Sequence, residues 1–317
     1  AIVCFREDEK QRAAGYCRQY GIECRITADL PAALALEDVK IASVCSINCF
    51  HYEHALAAIR AGKHTLVEKP VGIDPVQVQT LAREAKKAEV ITMAGHIVRY
   101  FPAVVCLKSL AGQGRLGEVY HVEADYWHQL SPGWKTRAET AGSAMLMGGI
   151  HALDLVRCFI GEDRQPEYVS AVWSGPFRRK DFDYPPNVSA LVRFEGGVTA
   201  RVGVSVEAEM PYTFHFQANF THGAIRQKSL FAPELFPGVR SWIELPADYP
   251  GDWNVACHPF SAEIDDFVEA VRAGKPNRLD LRYAKDTYDL LFAIEESARR
   301  SSPVSMEHRQ DDFCMPY

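Results

Sequence analysis

The chain has 317 residues, 47% of them apolar and 24% charged, with 35 Lys and Arg against 41 Asp and Glu. That length is long for one core and suits two domains, and the net charge of −6 leaves no basic footprint for nucleic acid. No run of about 18 apolar residues marks a membrane-spanning helix. The start shows no secretory signal pattern, and the nine cysteines, from Cys4 to Cys314, form no CxxC pair or metal-ligand set. They read as reduced, mostly buried thiols of a cytoplasmic protein.

In chain order, Ala1–Phe5 reads as a short apolar strand and Glu7–Tyr20 as a helix stopped by Gly21. Asp38–Ser46 is a buried strand run, Tyr52–Ala61 a helix ended by Gly62, and His64–Val67 another strand. Asp74–Ala88 is a helix with Asp74 as N-cap and Pro75 at its first position, followed by strand Val90–Ala94. Strands alternating with helices predict a doubly wound parallel sheet over residues 1–97. Beyond it, helix Phe101–Leu110 runs into the turn GQGRLG. Long alternating segments follow: Glu118–Trp127, Glu167–Trp173, Val188–Phe194, Val198–Val206 and Tyr212–Phe220. These predict a large, mostly antiparallel open sheet in an α+β domain over 98–317, interrupted by a helix at Ala144–Phe159. Helices Pro259–Ala273 and Tyr283–Ser297 close the chain, with the option of packing back on the first domain.

A dinucleotide domain carries its pyrophosphate on a Gly-rich turn after the first strand and reads the ribose about 20 residues later. No G-x-G-x-x-G follows a strand here, since GQGRLG comes after a helix, yet Ala1–Phe5 with Arg6 behind it resembles a second strand and its ribose-reading loop. The expectation is that about 30 residues, holding the first strand and the Gly-rich turn, precede Ala1. The rival is a truncated domain unable to hold a dinucleotide.

Four constellations carry chemistry. Glu68-Lys69-Pro70 stands at a strand's C-terminal end, where ligands bind in such sheets. Lys69 there can donate to a substrate hydroxyl, and the proline can be cis; the bland alternative is a surface lysine in a turn. Ser46, Asn48 and His51 lie at another strand end, suited to the nicotinamide ribose, unless Asn48 merely caps the next helix. His151 and Asp154 share a helix face behind Gly148 and Gly149, and a histidine is the natural proton acceptor in alcohol oxidation. Arg99, Tyr100, Trp127, Trp134 and Lys135 suit a polyhydroxylated substrate, or else are core packing with snorkelling cations.

The segments SINCFHYEHALAAIRAGKHTLVEKPV, GGIHALDLVRCFIG and the run from HPFSAEIDDF to SSPV resemble, in order and spacing, the glucose–fructose oxidoreductase/inositol dehydrogenase (Gfo/Idh/MocA) family. The resemblance spans essentially the whole chain. It implies a Rossmann-type domain binding NAD or NADP and an open-sheet domain used for oligomer contacts, giving a homo-oligomer (dimer or tetramer). It also implies hydride transfer at a secondary alcohol or carbonyl of a sugar, sugar derivative or cyclitol. By resemblance Lys69 is the active-site lysine, His151 the general acid/base and Asp154 a substrate contact. Asn48, His51 and Glu68 lie toward the cofactor. The family's acid four residues before the histidine is replaced by Met147. That departure keeps open a catalytically silent sugar sensor, beside an NAD-dependent hydrolase or lyase. The ribose-reading position is Phe5-Arg6; an arginine there suits a 2′-phosphate and tilts the expectation to NADP, its alternative being a solvent-facing arginine.

Overall fold

The computed structural model describes residues 1–250 and 258–307, so Cys257 and Cys314 lie outside the described residues. The first part runs β1 (Ile2–Val3), α1 (Glu7–Tyr20), β2 (Ile26–Thr27), α2 (Leu30–Leu34), β3 (Ile41–Val44), α3 (Asn48–Arg60), β4 (His64–Glu68), α4 (Pro75–Lys87) and β5 (Thr92–Gly95). Every ladder here is parallel, in two sheets, β1–β2 and β3–β4–β5. The β2–α2 unit has no counterpart in the sequence reading, because two- and five-residue elements carry no periodicity to read. Helix α4 starts as its sequence dictates: the Asp74 carboxylate accepts from Gln77 N at 2.9 Å and Pro75 fills the first position.

The second part comprises α5 (Pro102–Gly112), β6 (Val119–Trp127), α6 (Ala138–Ala141), a π-helical turn at Met145–Gly149, α7 (Ile150–Ile160), β7 (Pro166–Ser174), β8 (Asn187–Phe194), β9 (Thr199–Ser205), β10 (Thr213–Phe220), β11 (Gly223–Arg226), β12 (Ser229–Phe231), β13 (Ile243–Glu244), α8 (Phe260–Ala273), α9 (Leu281–Arg300) and β14 (Val304–Ser305). Nine strands form one sheet in the order β13-β12-β11-β10-β6-β9-β8-β7-β14, antiparallel except for the parallel β6–β9 pair. Alternation sets its faces. On β8, Val188, Ala190, Val192 and Phe194 are buried while Ser189, Leu191 and Arg193 face out. Helix α7 lies against β6 with all its residues buried. The apolar helical stretch Ala138–Ile160 has 94% of its most apolar window buried inside the protein, so its apolarity is that of a core element.

The last two helices hold the first part to the second. Adjacent residues on β4 point to opposite faces. Val67 enters the main core with Val78 and Leu81 of α4, and Leu66 a smaller core with Phe267 and Ala270 of α8. A parallel sheet must be covered on both faces, and α8 supplies the second cover. Helix α9 packs on both α4 and β7, and its buried Tyr288 hydroxyl accepts from Val71 N at 3.1 Å. The thiols are less buried than the sequence reading expected: Cys4 and Cys158 are buried, but Cys45 and Cys106 are exposed. Cysteine is small enough to stand at a surface without a packing role.

Candidate active site

Lys69 leaves the end of β4 just before a cis peptide bond to Pro70. Its Nζ donates to Met147 O at 2.7 Å, reaching into the π turn of the second part. That turn is MLMGG because larger residues do not fit: a Cβ on Gly148 would lie 2.3 Å from Tyr126 Cδ1, and one on Gly149 2.6 Å from Met145 Sδ. Directly after the turn comes His151, its ring stacked on Tyr126 at 5.9 Å between centroids. His151 is 5% exposed, and its Nδ1 is buried with no hydrogen-bond partner among the described residues. A buried, unpaired polar atom costs about 1–3 kcal/mol, and such atoms are rare in native cores. Burial, and then the Lys69 ammonium, hold the His151 pKa well below the ordinary histidine value, so the ring is neutral and able to take a proton. Burial likewise lowers the Lys69 pKa, against the raising effect of Glu68.

The strand-end residues gather on the same side. Asn48 does not cap α3: Ile47 is the cap residue, and Asn48 instead donates across to Ala141 O at 2.9 Å and to Met147 Sδ at 3.2 Å. The ring nitrogens of His51 lie 2.6 Å from Pro70 O and 2.7 Å from Ser46 O, tying the ends of β3 and β4 together. The Ser46 hydroxyl meets His54 at 3.1 Å, and Phe5 stacks on the same His54 at 5.2 Å. Glu68 sits beside Gly95, where an added Cβ would come within 2.9 Å of its Oε2, and burial raises its pKa. Arg6 is exposed; it donates to Asp8 at 2.9 and 3.0 Å and forms a capping box with Glu9 on α1.

The substrate-side residues are placed differently from the sequence reading. Asp154 is taken up by partners other than His151. Its carboxylate, 1% exposed, accepts from Arg99 twice at 2.7 Å and lies 2.6 Å from His96 Nδ1. Arg99 also binds Glu162. The reason is the burial of all of α7: a carboxylate there must be paired or cost several kcal/mol. Arg99 and Tyr100 are thereby drawn away from Lys69, Tyr100 donating to Asp266 at 2.6 Å. Both line a cavity of about 680 Å³ with Lys108, Asp266 and Tyr283, a space that includes neither Lys69 nor His151. Trp127 is on the outer face of the sheet, 37% exposed, because alternation along β6 turns Tyr126 inward. The Lys135 ammonium is 5.7 Å from the Trp134 ring centroid, and its charge bears on Lys69. The sequence reading missed Tyr126, His128, Tyr212 and His258. Tyr126 is flanked by His128 at 6.1 Å and Tyr212 at 5.4 Å, and the charge of Lys69 reaches both His128 and His258. The inward alternation of β6 was the signal available for Tyr126.

These residues fit the nicotinamide end of a dinucleotide: open strand ends, an asparagine and a lysine crossing to the second part, and an unpaired imidazole facing them. The G-x-G-x-x-G run of this sequence, GQGRLG at residues 112–117, starts at the end of α5 in the second part and does not follow a strand of the parallel sheet.

The parallel α/β unit thus sends Lys69 from a strand end to the turn before His151 on a second, open-sheet unit. The chain belongs to the Gfo/Idh/MocA family: residues 1–96 match the oxidoreductase family with an NAD-binding Rossmann fold, and residues 104–226 match the GFO/IDH/MocA C-terminal domain. It is 28% identical over 273 residues to trans-1,2-dihydrobenzene-1,2-diol dehydrogenase of Mus musculus, covering 84% of this chain and 79% of that enzyme. It is 27% identical to 1,5-anhydro-D-fructose reductase of Ensifer adhaerens, covering 83% and 80%. The matches to the bovine and rabbit dihydrodiol dehydrogenases span only 51% and 60% of those proteins. The fold is that of levoglucosan dehydrogenase in complex with NADH and levoglucosan, with a TM-score of 0.82 over 94% of this chain and 88% of that one, at 22% identity.

Proposed function

We propose that this protein transfers a hydride between a nicotinamide dinucleotide and a secondary alcohol or carbonyl of a sugar, sugar derivative or cyclitol. The observation that carries the reading is the meeting of Lys69 with the turn that launches His151, across the two parts of the fold. The names of the relatives agree with it: they act on a dihydrodiol and on an anhydro-sugar. Asn48, Glu68 and Lys69 would hold the nicotinamide end, and the bound ring supplies the hydride acceptor or donor. The chain supplies the proton chemistry. Lys69 donates to the substrate oxygen and stabilises the negative charge that grows there as its proton leaves. His151, neutral in its buried setting, takes that proton in oxidation and returns it in reduction. Asp154 acts one step back, holding α7 to His96 and Arg99.

The test is Lys69→Ala assayed with a panel of polyols and both nicotinamides. Loss of a general acid/base or electrostatic contact costs about 10²–10⁴-fold in rate, and that range is expected in kcat. Unchanged turnover would remove the assignment. A silent sensor, the reading that Met147 supports, would show cofactor binding without turnover by any polyol. A lyase or hydrolase would form product without net cofactor reduction.

For the choice of nicotinamide we favour NADP, with Arg6 leaving Asp8 to meet the 2′-phosphate. Arg6→Ala is then expected to lower kcat/KM for NADP about 10-fold more than for NAD, the size of one charge-assisted contact. Equal losses would argue for NAD. The outward sheet face, with Val172 66% and Leu191 60% exposed, suits self-association into a dimer or tetramer; light scattering decides. The free cysteines suit a reducing, cytoplasmic setting.

A further inference from the structure

Helix α9 reaches the site through one buried hydroxyl. Tyr288 is fully buried, and two polar atoms meet its Oη. Val71 N, two residues past Lys69, donates to it at 3.1 Å, and His96 Nε2 lies 3.2 Å away. His96 follows the end of β5 and is also fully buried, its ring centroid 5.7 Å from that of Tyr288. Its other nitrogen, Nδ1, is 2.6 Å from Asp154 Oδ1 on α7, one turn beyond His151. One phenol therefore stands between the segment that carries Lys69 and the helix that carries His151.

The protons on this path have a consistent arrangement. A phenol that accepts from Val71 N has one proton to give, and His96 Nε2 receives it. His96 then carries its own proton on Nδ1 and donates it to the Asp154 carboxylate. Burial raises the Tyr288 pKa, so the hydroxyl keeps its proton. A second arm leaves α9 seven residues further on, from the same helix face. Glu295 accepts from Ser143 Oγ, which accepts in turn from Leu146 N at 3.1 Å, inside the π turn. Met147 of that turn supplies the carbonyl that receives Lys69 Nζ. The helix thus holds both ends of the Lys69 contact, Val71 through Tyr288 and the turn through Glu295.

We infer that Tyr288 is a positioning residue, whose hydroxyl fixes Lys69 relative to His151 without touching substrate or cofactor. The expected effect on rate rests on the oxidoreductase reading; the hydrogen-bonded path does not.

Tyr288→Phe keeps the ring and removes only the hydroxyl, leaving Val71 N and His96 Nε2 without it. Ser297→Ala is the matched control. Its hydroxyl is equally buried on the same helix, but accepts from Ala171 N of β7 at 3.0 Å and donates to Ser302 O at 2.8 Å. The experiment uses the full chain with saturating nicotinamide and a polyol that the parent turns over. Displacing a reacting group by about 1 Å costs up to about 10²-fold, so Tyr288→Phe is expected to lower kcat about 10- to 100-fold with KM for the polyol unchanged. Ser297→Ala should keep the parent's kcat. In a Lys69→Ala background Tyr288→Phe should cost nothing further, because residues that act as a unit are not additive. Nitrogen NMR of the His96 ring, without substrate or cofactor, should place the proton on Nδ1 and show the Nε2 resonance move in Tyr288→Phe. Circular dichroism checks folding. Should Tyr288→Phe not fold, His96→Asn carries the same kinetic expectation, since its amide replaces Nδ1 toward Asp154 and gives up the phenol. An unchanged kcat, a loss that adds to that of Lys69→Ala, an equal fall in Ser297→Ala, or a parent His96 with its proton on Nε2 overturns the inference. An active parent with an unaffected Tyr288→Phe leaves the oxidoreductase reading intact and removes the positioning role. A parent that turns over no polyol removes that reading instead, and an unmoved Nε2 resonance then overturns the positioning role on its own.

Discussion

His151 shows how the energetics of one side chain report its role. Its helix buries three polar groups: Arg99 and His96 provide for Asp154, and the Arg157 guanidinium donates to Arg164 O and Glu162 O, both at 2.6 Å, while its Nε has no partner among the described residues. His151 keeps an unpaired nitrogen in a fully buried setting. Stability alone selects against this, which supports the ligand role proposed for the ring. The pH dependence follows. A base works while neutral, and burial lowers the His151 pKa below its ordinary 6.5. In the oxidation direction, kcat/KM is therefore expected to hold as pH falls to 6.5 and to decline only below it. The Lys69 pKa is lowered from 10.5, so any loss from its deprotonation begins below that value. A pH–rate profile with its acid limb above 6.5 would contradict the assignment of His151 as the base.

At the scale of elements, two local features aim the site. Strand β6 turns Tyr126 toward α7 and Trp127 away, so one step of alternation decides which aromatic reaches the imidazole. The π turn at Met145–Gly149 brings the helix close to β6, and such turns recur at functional sites. Gly148 is the contact point. Gly148→Ala would drive a methyl into the Tyr126 ring, which is stacked on His151. Overpacking of this kind costs about 1–3 kcal/mol. Urea unfolding should show that loss, and kcat should fall with it because the displaced ring carries His151 along. A Gly148→Ala protein with the parent's stability and rate would mean that the close approach is incidental.

Across the whole molecule, the two parts are joined by α8 and α9, and buried carboxylates lie along this junction. Burial pushes Glu263 up to about 8, with Glu68 adding to it, and Glu295 up to about 7. Their ordinary value is 4.5. From there to about 8, the folded chain holds protons that the unfolded chain has released. Stability is therefore full below pH 4.5 as far as these groups are concerned, and is lost as pH climbs through 7 and 8. Thermal melting between about pH 6 and about pH 9 should show a falling Tm. Glu263→Gln should shrink that fall by about 2–4 °C for each kcal/mol relieved. An unchanged slope in this variant would place the titration elsewhere.

The chain pattern by itself determined the alternation of strands and helices in the first part and the long alternating strands of the second, and it singled out Lys69, Asn48 and His151 as candidates. Those signals are local: periodicity, caps, and the position of polar residues at strand ends. It did not determine which strands of the large sheet are neighbours, since the parallel β6–β9 pair joins segments far apart in sequence. Nor could it tell that Asp154, one turn from His151, would be captured by Arg99 and His96, because helical spacing gives a face and not the partner across from it. Only the tertiary structure decided that. Burying α7 forces Asp154 onto counter-charges from other elements and leaves His151 Nδ1 without a partner among the described residues.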